Sequence, residues 1–277
     1  MSALPPDEIE RLHQQNRAAW NEAARRYENE IERDIAFLKA GGKAFHSVEW
    51  PFLADLGAWC GRAIHLQCAG GVDTLSLWNH GAAEVVGVDI SERMIACARQ
   101  KSAALGAAAQ WHCCDVLETP HELDGTADLV YTGKGALLWI MDLARWADVV
   151  QRLLKPGGRL YLFEGHPLSW VWDPAASEYR LDPDPRYGDY FSAAIAEDQG
   201  WPAEYMPETA LPPLARQARK FERQWTLGQV INALVETGLT LQRLDERPEP
   251  YWNQFPNLSP DLIRRLPQTY SLLMSKL

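Results

Sequence analysis

Apolar residues in this chain fall into short runs separated by polar or helical stretches. Ala63 to Cys68 is an apolar run of a length suited to a buried parallel strand, and Ala69, Gly70 and Gly71 keep side chains out of the turn that follows. Asp73 and Thr74 open a helix, Glu84 to Val88 forms a second buried strand, and Asp89 closes it. Near the start, Pro5 to about Ala40 has a helical rhythm, with Trp20, Ala23, Ala24 and Tyr27 on one face. Towards the end, Thr226 to Thr237 reads as a helix with Thr226 as its N-cap and Gly238 as its stop. Leu239 to Arg247 and Tyr270 to Leu277 read as two last strands, with prolines marking a long loop between them. The pattern predicts an α/β chain with no internal repeat and no clear linker.

The strand, tight loop, helix, strand order at residues 63 to 89 builds a nucleotide-type cofactor site. Asp89 stands eighteen positions after Gly71, where a carboxylate can accept hydrogen bonds from both ribose hydroxyls. A pyrophosphate would want G-x-G-x-x-G and free N–H groups at a helix N-terminus. This loop lacks that pattern, and Asp73 in the first helical turn would repel pyrophosphate but suit an ammonium. S-adenosylmethionine carries an ammonium, a sulfonium and one carboxylate, so acidic edges fit it better than a dinucleotide.

At these residues the chain resembles the class I S-adenosylmethionine-dependent methyltransferases, whose first strand and loop usually read V-L-D-L-G-C-G-T-G. Here the stretch is Ala63 to Gly71, with His65 in place of the acidic residue, Gln67 in place of the first glycine and Ala69 in place of the second. The form H-L-Q-C-x-x-G-x-D-T is similar to a branch of that superfamily. Ala109 to Asp115 resembles the third strand, Ala127 to Thr132 the fourth, and Leu153 to Glu164 the helix end at Lys155, Pro-Gly-Gly turn and fifth strand. The resemblance implies a Rossmann-like, seven-stranded, mostly parallel sheet in the order 3-2-1-4-5-7-6 with helices on both faces. It implies S-adenosylmethionine as cofactor, S-adenosylhomocysteine as product, and no metal. Asp89 would take the ribose, with Ile90 and Met94 beside it; Asp115 would accept from the adenine amino group, with Val116 against the ring. Gln67, Cys68, Ala69, Gly70, Asp73, Thr74 and Thr132 would line the methionine half. The string Trp20-Asn21-Glu22-Ala23-Ala24-Arg25-Arg26-Tyr27 resembles an N-terminal helix that folds over the cofactor, so Trp20 and Tyr27 join the set.

Composition narrows the partners. In a chain of 277 residues, 47% hydrophobic content leaves ample apolar surface for a core. A net charge of −10 argues against a nucleic-acid partner, because such affinity comes mainly from Lys and Arg. No apolar run reaches the roughly 18 residues of a membrane span. The start MSALPPDEIERLHQQ has neither a basic beginning nor an apolar signal core, so the expected location is the cytoplasm. Five cysteines, an odd number, predict buried thiols rather than a disulfide framework, and the adjacent Cys113 and Cys114 are poorly placed to chelate one zinc ion.

Residues 1–277 read as a single domain, with 1–45 as a helical cap and 165–225 as an insertion after the fifth strand. That insertion carries Trp170, Trp172, Tyr179, Tyr187, Tyr190, Phe191, Trp201 and Tyr205, which fits a substrate lid with a short β-arm from Tyr179 to Phe191. The same aromatic surface is compatible with a homodimer interface. The expected reaction is methyl transfer to an O, N or S nucleophile of a small aromatic or apolar molecule. Trp139, His166, Trp170 and Trp172 are the expected substrate contacts, and His166, after the fifth strand, is the first candidate for a base. Glu164 could take that place; His65 and His112 fall inside strands and read as packed core residues. Lys134, in a Gly-flanked turn, could bind a substrate anion or stay solvated. Two readings from other classes stand beside this one: a non-catalytic cofactor-binding or partner-binding module, and a Rossmann oxidoreductase.

Overall fold

The computed structural model describes residues 4–201, 205–206 and 213–277. Residues 202–204 and 207–212 of the expected lid, and 1–3 of the expected cap, lie outside the described part. In chain order the elements are helices α1 (Pro6–Asn29), α2 (Ile31–Lys39) and α3 (Leu56–Trp59), then β1 (Arg62–Leu66), α4 (Val72–Asn79), β2 (Glu84–Asp89), α5 (Glu92–Leu105) and β3 (Ala109–Cys113). There follow β4 (Ala127–Gly133), α6 (Leu143–Leu153), β5 (Leu154–Gly165), β6 (Ile195–Gln199), β7 (Arg219–Arg223), α7 (Leu227–Glu236), β8 (Thr240–Arg247), α8 (Pro260–Ile263) and β9 (Thr269–Ser275).

Strand alternation builds two cores. Ile64, Leu66, Val86, Val88, Val130, Leu160 and Leu162 point to one face, where they meet Leu12 of α1, Trp146 and Val150 of α6, and Val230 and Leu234 of α7. The residues between them, Ala63, Val85, Leu129, Tyr131, Tyr161 and Phe163, point to the other face and pack on Phe45, Phe52, Leu53, Leu56 and Leu77. Helices and loops thus cover both faces, as a parallel sheet requires.

The sheet has seven strands in the order β3-β2-β1-β4-β5-β9-β8. Neighbours from β3 to β5 pair in parallel, while β9 runs antiparallel to both β5 and β8. The expected numbering 3-2-1-4-5-7-6 therefore changes to 3-2-1-4-5-9-8, because two strands outside this sheet intervene in the chain. Those two, β6 and β7, form a separate antiparallel pair. Their sequences, IAEDQ and RKFER, lack the apolar alternation that marks a strand, so periodicity passes over them. The β-arm expected at Tyr179 to Phe191 is corrected: that stretch contributes a single bridge, Trp172 with Leu181. Asp182, Asp184 and Asp189 instead accept backbone N–H groups two residues on, at 2.8, 2.9 and 2.9 Å, and these local turns compete with a ladder. The helix expected to end at Lys155 ends at Leu153, since Leu154 already pairs with Ala127.

Helix α1 ties the small sheet to the large one. Asn16 on α1 accepts the Phe221 N–H at 2.7 Å and donates to the Phe221 carbonyl at 2.8 Å, imitating a strand neighbour for β7. Helix α7 carries a capping box between Thr226 and Gln229. Cys60, Cys68 and Cys97 are buried, Cys114 is half-buried and Cys113 is exposed, all as free thiols. Among the described residues no helix is long and apolar enough to cross a membrane.

Candidate active site

A cavity of about 1010 Å³ opens at the carboxyl ends of β1, β2 and β4, the edge where ligands bind in open α/β sheets. Small-molecule pockets usually hold roughly 300–1,000 Å³, so this one is at the upper end. Its floor is the loop from Gln67 to Asp73 with Asp89, Ile90, Asp115, Val116 and residues 133–136; its other walls come from α1, from the segment between β5 and β7, and from the loop at Tyr251 to Asn257.

The floor is held in a conformation that few side chains adopt. Among the described residues four non-glycine positions have positive φ, and three of them, Gln67, Ala69 and Lys134, line the cavity. Strain of this kind collects at functional sites. Gln67 (φ 58°) and Ala69 (φ 45°) thus keep a left-handed backbone at the positions where the methyltransferase pattern has glycine. Gly70 is confined: a Cβ there would lie 2.9 Å from the Tyr27 ring and 3.2 Å from the Lys101 ammonium. That ammonium is fully buried, donates to the Gly70 carbonyl at 2.9 Å and pairs with Asp34 of α2 at 2.8 Å.

Asp89 ends β2 as the pattern predicts. Its two oxygens accept the N–H groups of Ala69 at 2.8 Å and Ser91 at 2.9 Å. Burial raises its carboxyl to about 6, and these two N–H groups oppose the rise. At the other end of the floor the Asp115 carboxylate meets His13 Nδ1 at 2.6 Å and accepts the Leu117 N–H at 2.9 Å. The Met141 amide donates to His13 Nε2 at 3.1 Å, which leaves Nδ1 as the donor to Asp115. Gln67 donates to the Ala136 carbonyl at 2.7 Å, while its Oε1 is buried with no partner. Asp73 is not free: Lys134 pairs with it at 2.7 Å, and the same ammonium lies 3.4 Å from buried Glu49, which accepts from the Tyr131 hydroxyl at 2.6 Å. Lys134 is thereby the counter-ion of two carboxylates, which leaves little of its charge for a substrate anion.

Aromatic rings form the upper wall. Trp20 meets Trp139 at 5.1 Å and Trp201 at 4.9 Å between ring centroids, and the Tyr27 and Tyr205 hydroxyls are 2.6 Å apart. Trp170 and Trp172 also line the cavity.

Of the expected site residues, Trp20, Tyr27, Gln67, Cys68, Ala69, Gly70, Asp73, Asp89, Ile90, Asp115, Val116, Trp139, Trp170 and Trp172 come together around this one space. Thr74, Met94, Thr132 and His166 do not. Thr74 is buried behind the loop, its hydroxyl 2.8 Å from His65 Nδ1. Met94 faces the alanines of α1, and Thr132 is fully buried within β4. His166 accepts the Leu168 N–H on Nδ1 at 3.1 Å, which leaves Nε2 to donate to Glu246 at 2.9 Å. Both its nitrogens are thus engaged in the β5–β8 region, and burial lowers its pKa against the opposing pull of Glu246. With neither nitrogen free toward the cavity, we expect His166 not to act as the base. A general base contributes about 10²–10⁴-fold; His166→Gln should instead leave turnover within about threefold, and a loss of that larger size in a folded variant would restore the role. Glu164 is also set apart: it accepts the N–H groups of Gly135 at 2.7 Å and Leu137 at 2.9 Å and so fixes the turn after β4. His65 lines the cavity wall but is buried, which lowers its pKa to about 4.

His13, Asn16, Tyr131, Lys220, Glu222 and Tyr251 also line the cavity and were not anticipated, while Tyr187 and Tyr205, named among the aromatics of the insertion, line it too. His13 was within reach, because it precedes Trp20 by seven residues, as Trp20 precedes Tyr27, and the three share a face of α1. Asn16 on α1 and Tyr131 on β4 lie in elements that the pattern marks, whereas Lys220, Glu222 and Tyr251 sit in segments without periodicity.

Residues 63–158 match the family model described as a methyltransferase domain. Over 127 residues the chain is 28% identical to ubiquinone biosynthesis O-methyltransferase of Pseudomonas aeruginosa, covering 45% of this chain and 54% of that protein. The chain thus spans about half the length of the curated relatives it matches. An S-adenosylmethionine-dependent methyltransferase from Mesorhizobium loti superposes with a TM-score of 0.56 at 23% identity, covering 83% of this chain and 98% of that one. Geranyl diphosphate C-methyltransferase from Streptomyces coelicolor A3(2), solved with Mg²⁺, geranyl-S-thiolodiphosphate and S-adenosylhomocysteine, superposes at 0.54 with 16% identity, covering 83% of this chain and 76% of that one. The segment that matches the methyltransferase-domain model carries the glycine loop, Asp89 and Asp115, and the fold is the Rossmann-like fold of these solved methyltransferases.

Proposed function

We propose that this chain transfers a methyl group from S-adenosylmethionine to an O, N or S nucleophile of a small aromatic or apolar molecule, as a single domain with residues 1–45 as cap and 165–225 as lid. One observation carries the reading: the glycine loop, Asp89 and Asp115 face an aromatic wall across one continuous cavity large enough for a donor and an acceptor together. Asp89 accepts from the ribose hydroxyls and Asp115 from the adenine amino group, with Ile90 and Val116 against the ring. The second oxygen of Asp73 and the backbone carbonyls of the loop accept from the methionine ammonium. Tyr27 and Trp20 close over this half.

When bound, the cofactor supplies a methyl group already activated by the sulfonium. The chain then has to align a nucleophile with it and exclude water, which Trp139, Trp170, Trp172 and Trp201 are placed to do. The two named relatives are, by name, an O-methyltransferase and a C-methyltransferase, so this fold accommodates different acceptor atoms and the choice lies in the cavity wall.

The test is to incubate the protein with methyl-labelled S-adenosylmethionine and a panel of small aromatic acceptors. Label in an acceptor, with matching S-adenosylhomocysteine, is the expected result. Tight cofactor binding without transfer to any of them would favour the non-catalytic module.

A further inference from the structure

The lid side of the cavity has a charge arrangement that the donor does not explain. In the β6–β7 pair Asp198 is opposite Lys220 and Ala196 opposite Glu222, so Asp198, Lys220 and Glu222 share one face, and all three line the cavity. The Lys220 ammonium lies 2.7 Å from Asp198 and 3.7 Å from Glu222. One buried cation is therefore divided between two carboxylates, and Asp198 has the closer contact. Among the described residues Lys220 is the only ion-pair partner of Glu222. The other cation of this wall, Arg186, is engaged by Asp184 at 2.8 Å.

Aromatic side chains line the same cavity as this carboxylate. The Lys220 ammonium stands 5.9 Å from the Trp201 ring centroid. Tyr187 and Tyr251 also line the cavity; burial pushes both phenols up, and the Glu222 charge adds to the rise. The Tyr251 ring covers the turn after β4: its hydroxyl would lie 2.9 Å from a Cβ at Gly135, so glycine is what leaves room for it. The wall thus continues to the carboxyl edge of β4, beside the donor loop. A half-paired carboxylate in an apolar wall is costly unless a cation completes it. An anionic acceptor would be repelled, a neutral one would leave the imbalance, and an ammonium would gain both the carboxylate and the aromatic faces.

On the methyltransferase reading above, we propose that the acceptor is a small amine, held as its ammonium by Glu222 among Trp201, Tyr187 and Tyr251. The ammonium gives one proton to the Glu222 carboxylate. The freed nitrogen lone pair forms the new N–C bond as the methyl carbon's bond to sulfur breaks, and sulfur keeps that bonding pair as a neutral thioether. The product leaves as a methylated ammonium, and Glu222 releases its proton to solvent, which restores the carboxylate. Burial and the Asp198 charge raise the Glu222 carboxyl, against the pull of Lys220, which suits it to hold that proton.

The test titrates protein saturated with S-adenosylhomocysteine with amines, alcohols and carboxylates built on three shared bodies: benzyl, 2-phenylethyl and 2-(indol-3-yl)ethyl. At least one amine should bind about tenfold or more tighter than its matched alcohol and carboxylate. Glu222→Gln should lower that amine's affinity by about tenfold or more and change S-adenosylhomocysteine affinity less than about twofold, while Glu222→Asp retains the preference for the amine. Three results would overturn the proposal: no amine preferred on any body, including no binding at all; an unchanged amine affinity in Glu222→Gln; or a Glu222→Gln effect confined to the cationic donor as against S-adenosylhomocysteine. Failure of S-adenosylhomocysteine to bind the unaltered protein would instead remove the donor site on which the proposal rests.

Discussion

Replacing Asp34 by Ala should lower the unfolding free energy by about 3–5 kcal/mol, the usual cost of leaving one member of a buried ion pair without its partner. Lys101 is fully buried, and Asp34, itself 5% exposed, is its single carboxylate partner among the described residues. The same ammonium donates to the Gly70 carbonyl, so it joins α2 to the donor loop through α5. Replacing both groups by apolar ones is often nearly neutral. The double variant Asp34→Leu with Lys101→Met should therefore regain most of the stability while leaving the Gly70 peptide without its donor. Denaturant unfolding and S-adenosylhomocysteine titration of the three proteins separate the two effects. An Asp34→Ala variant within about 1 kcal/mol of the unaltered protein would contradict the account of the pair. A double variant with undiminished cofactor affinity would contradict the role in positioning the loop.

Replacing Asp89 by Ala should weaken cofactor binding by about 1.5–3 kcal/mol, or roughly 10- to 150-fold, since charge-assisted hydrogen bonds to the ribose are lost. The carboxylate already has one N–H on each oxygen, which holds it in place, and each oxygen retains a second accepting position for a ribose hydroxyl. Burial raises its folded-state pKa to about 6. The ionised form is the better acceptor, so binding is complete above that value and weakens as pH falls through it. S-adenosylhomocysteine affinity measured from pH 8 to 5 should fall at the acid end, and Asp89→Asn should flatten this component. Unchanged affinity in a folded Asp89→Ala protein would reject the assignment.

The parallel half of the sheet is legible in the sequence because its inner strands are buried on both faces and so are apolar along most of their length. Ala63 to Leu66 and Glu84 to Asp89 stand out for that reason, as does the Asp89 carboxylate after them. The donor side of the cavity follows from the same segment, since its residues sit within a few positions of a strand end. The acceptor side does not. Lys220 and Glu222 lie on a short strand that turns charged side chains toward the cavity, so no hydrophobic period marks it. Tyr251 sits in a proline-rich loop, and its place beside Gly135 comes from tertiary packing alone. His166 misleads for a related reason. Its position after β5 is the one expected of a base, but the fold adds β8 beside β9, and Glu246 on β8 takes its free nitrogen. Lys134 likewise reads as a solvated turn residue until α4 brings Asp73 and the preceding loop brings Glu49 to its ammonium.

The central claim is that the floor of the cavity takes S-adenosylmethionine and not a dinucleotide, and calorimetry tests it directly. The unaltered protein titrated with S-adenosylmethionine and, separately, with NADH should bind the first at one site per chain and show no saturable heat with the second. Saturable binding of NADH with none of S-adenosylmethionine would contradict the account and return the chain to the oxidoreductase reading.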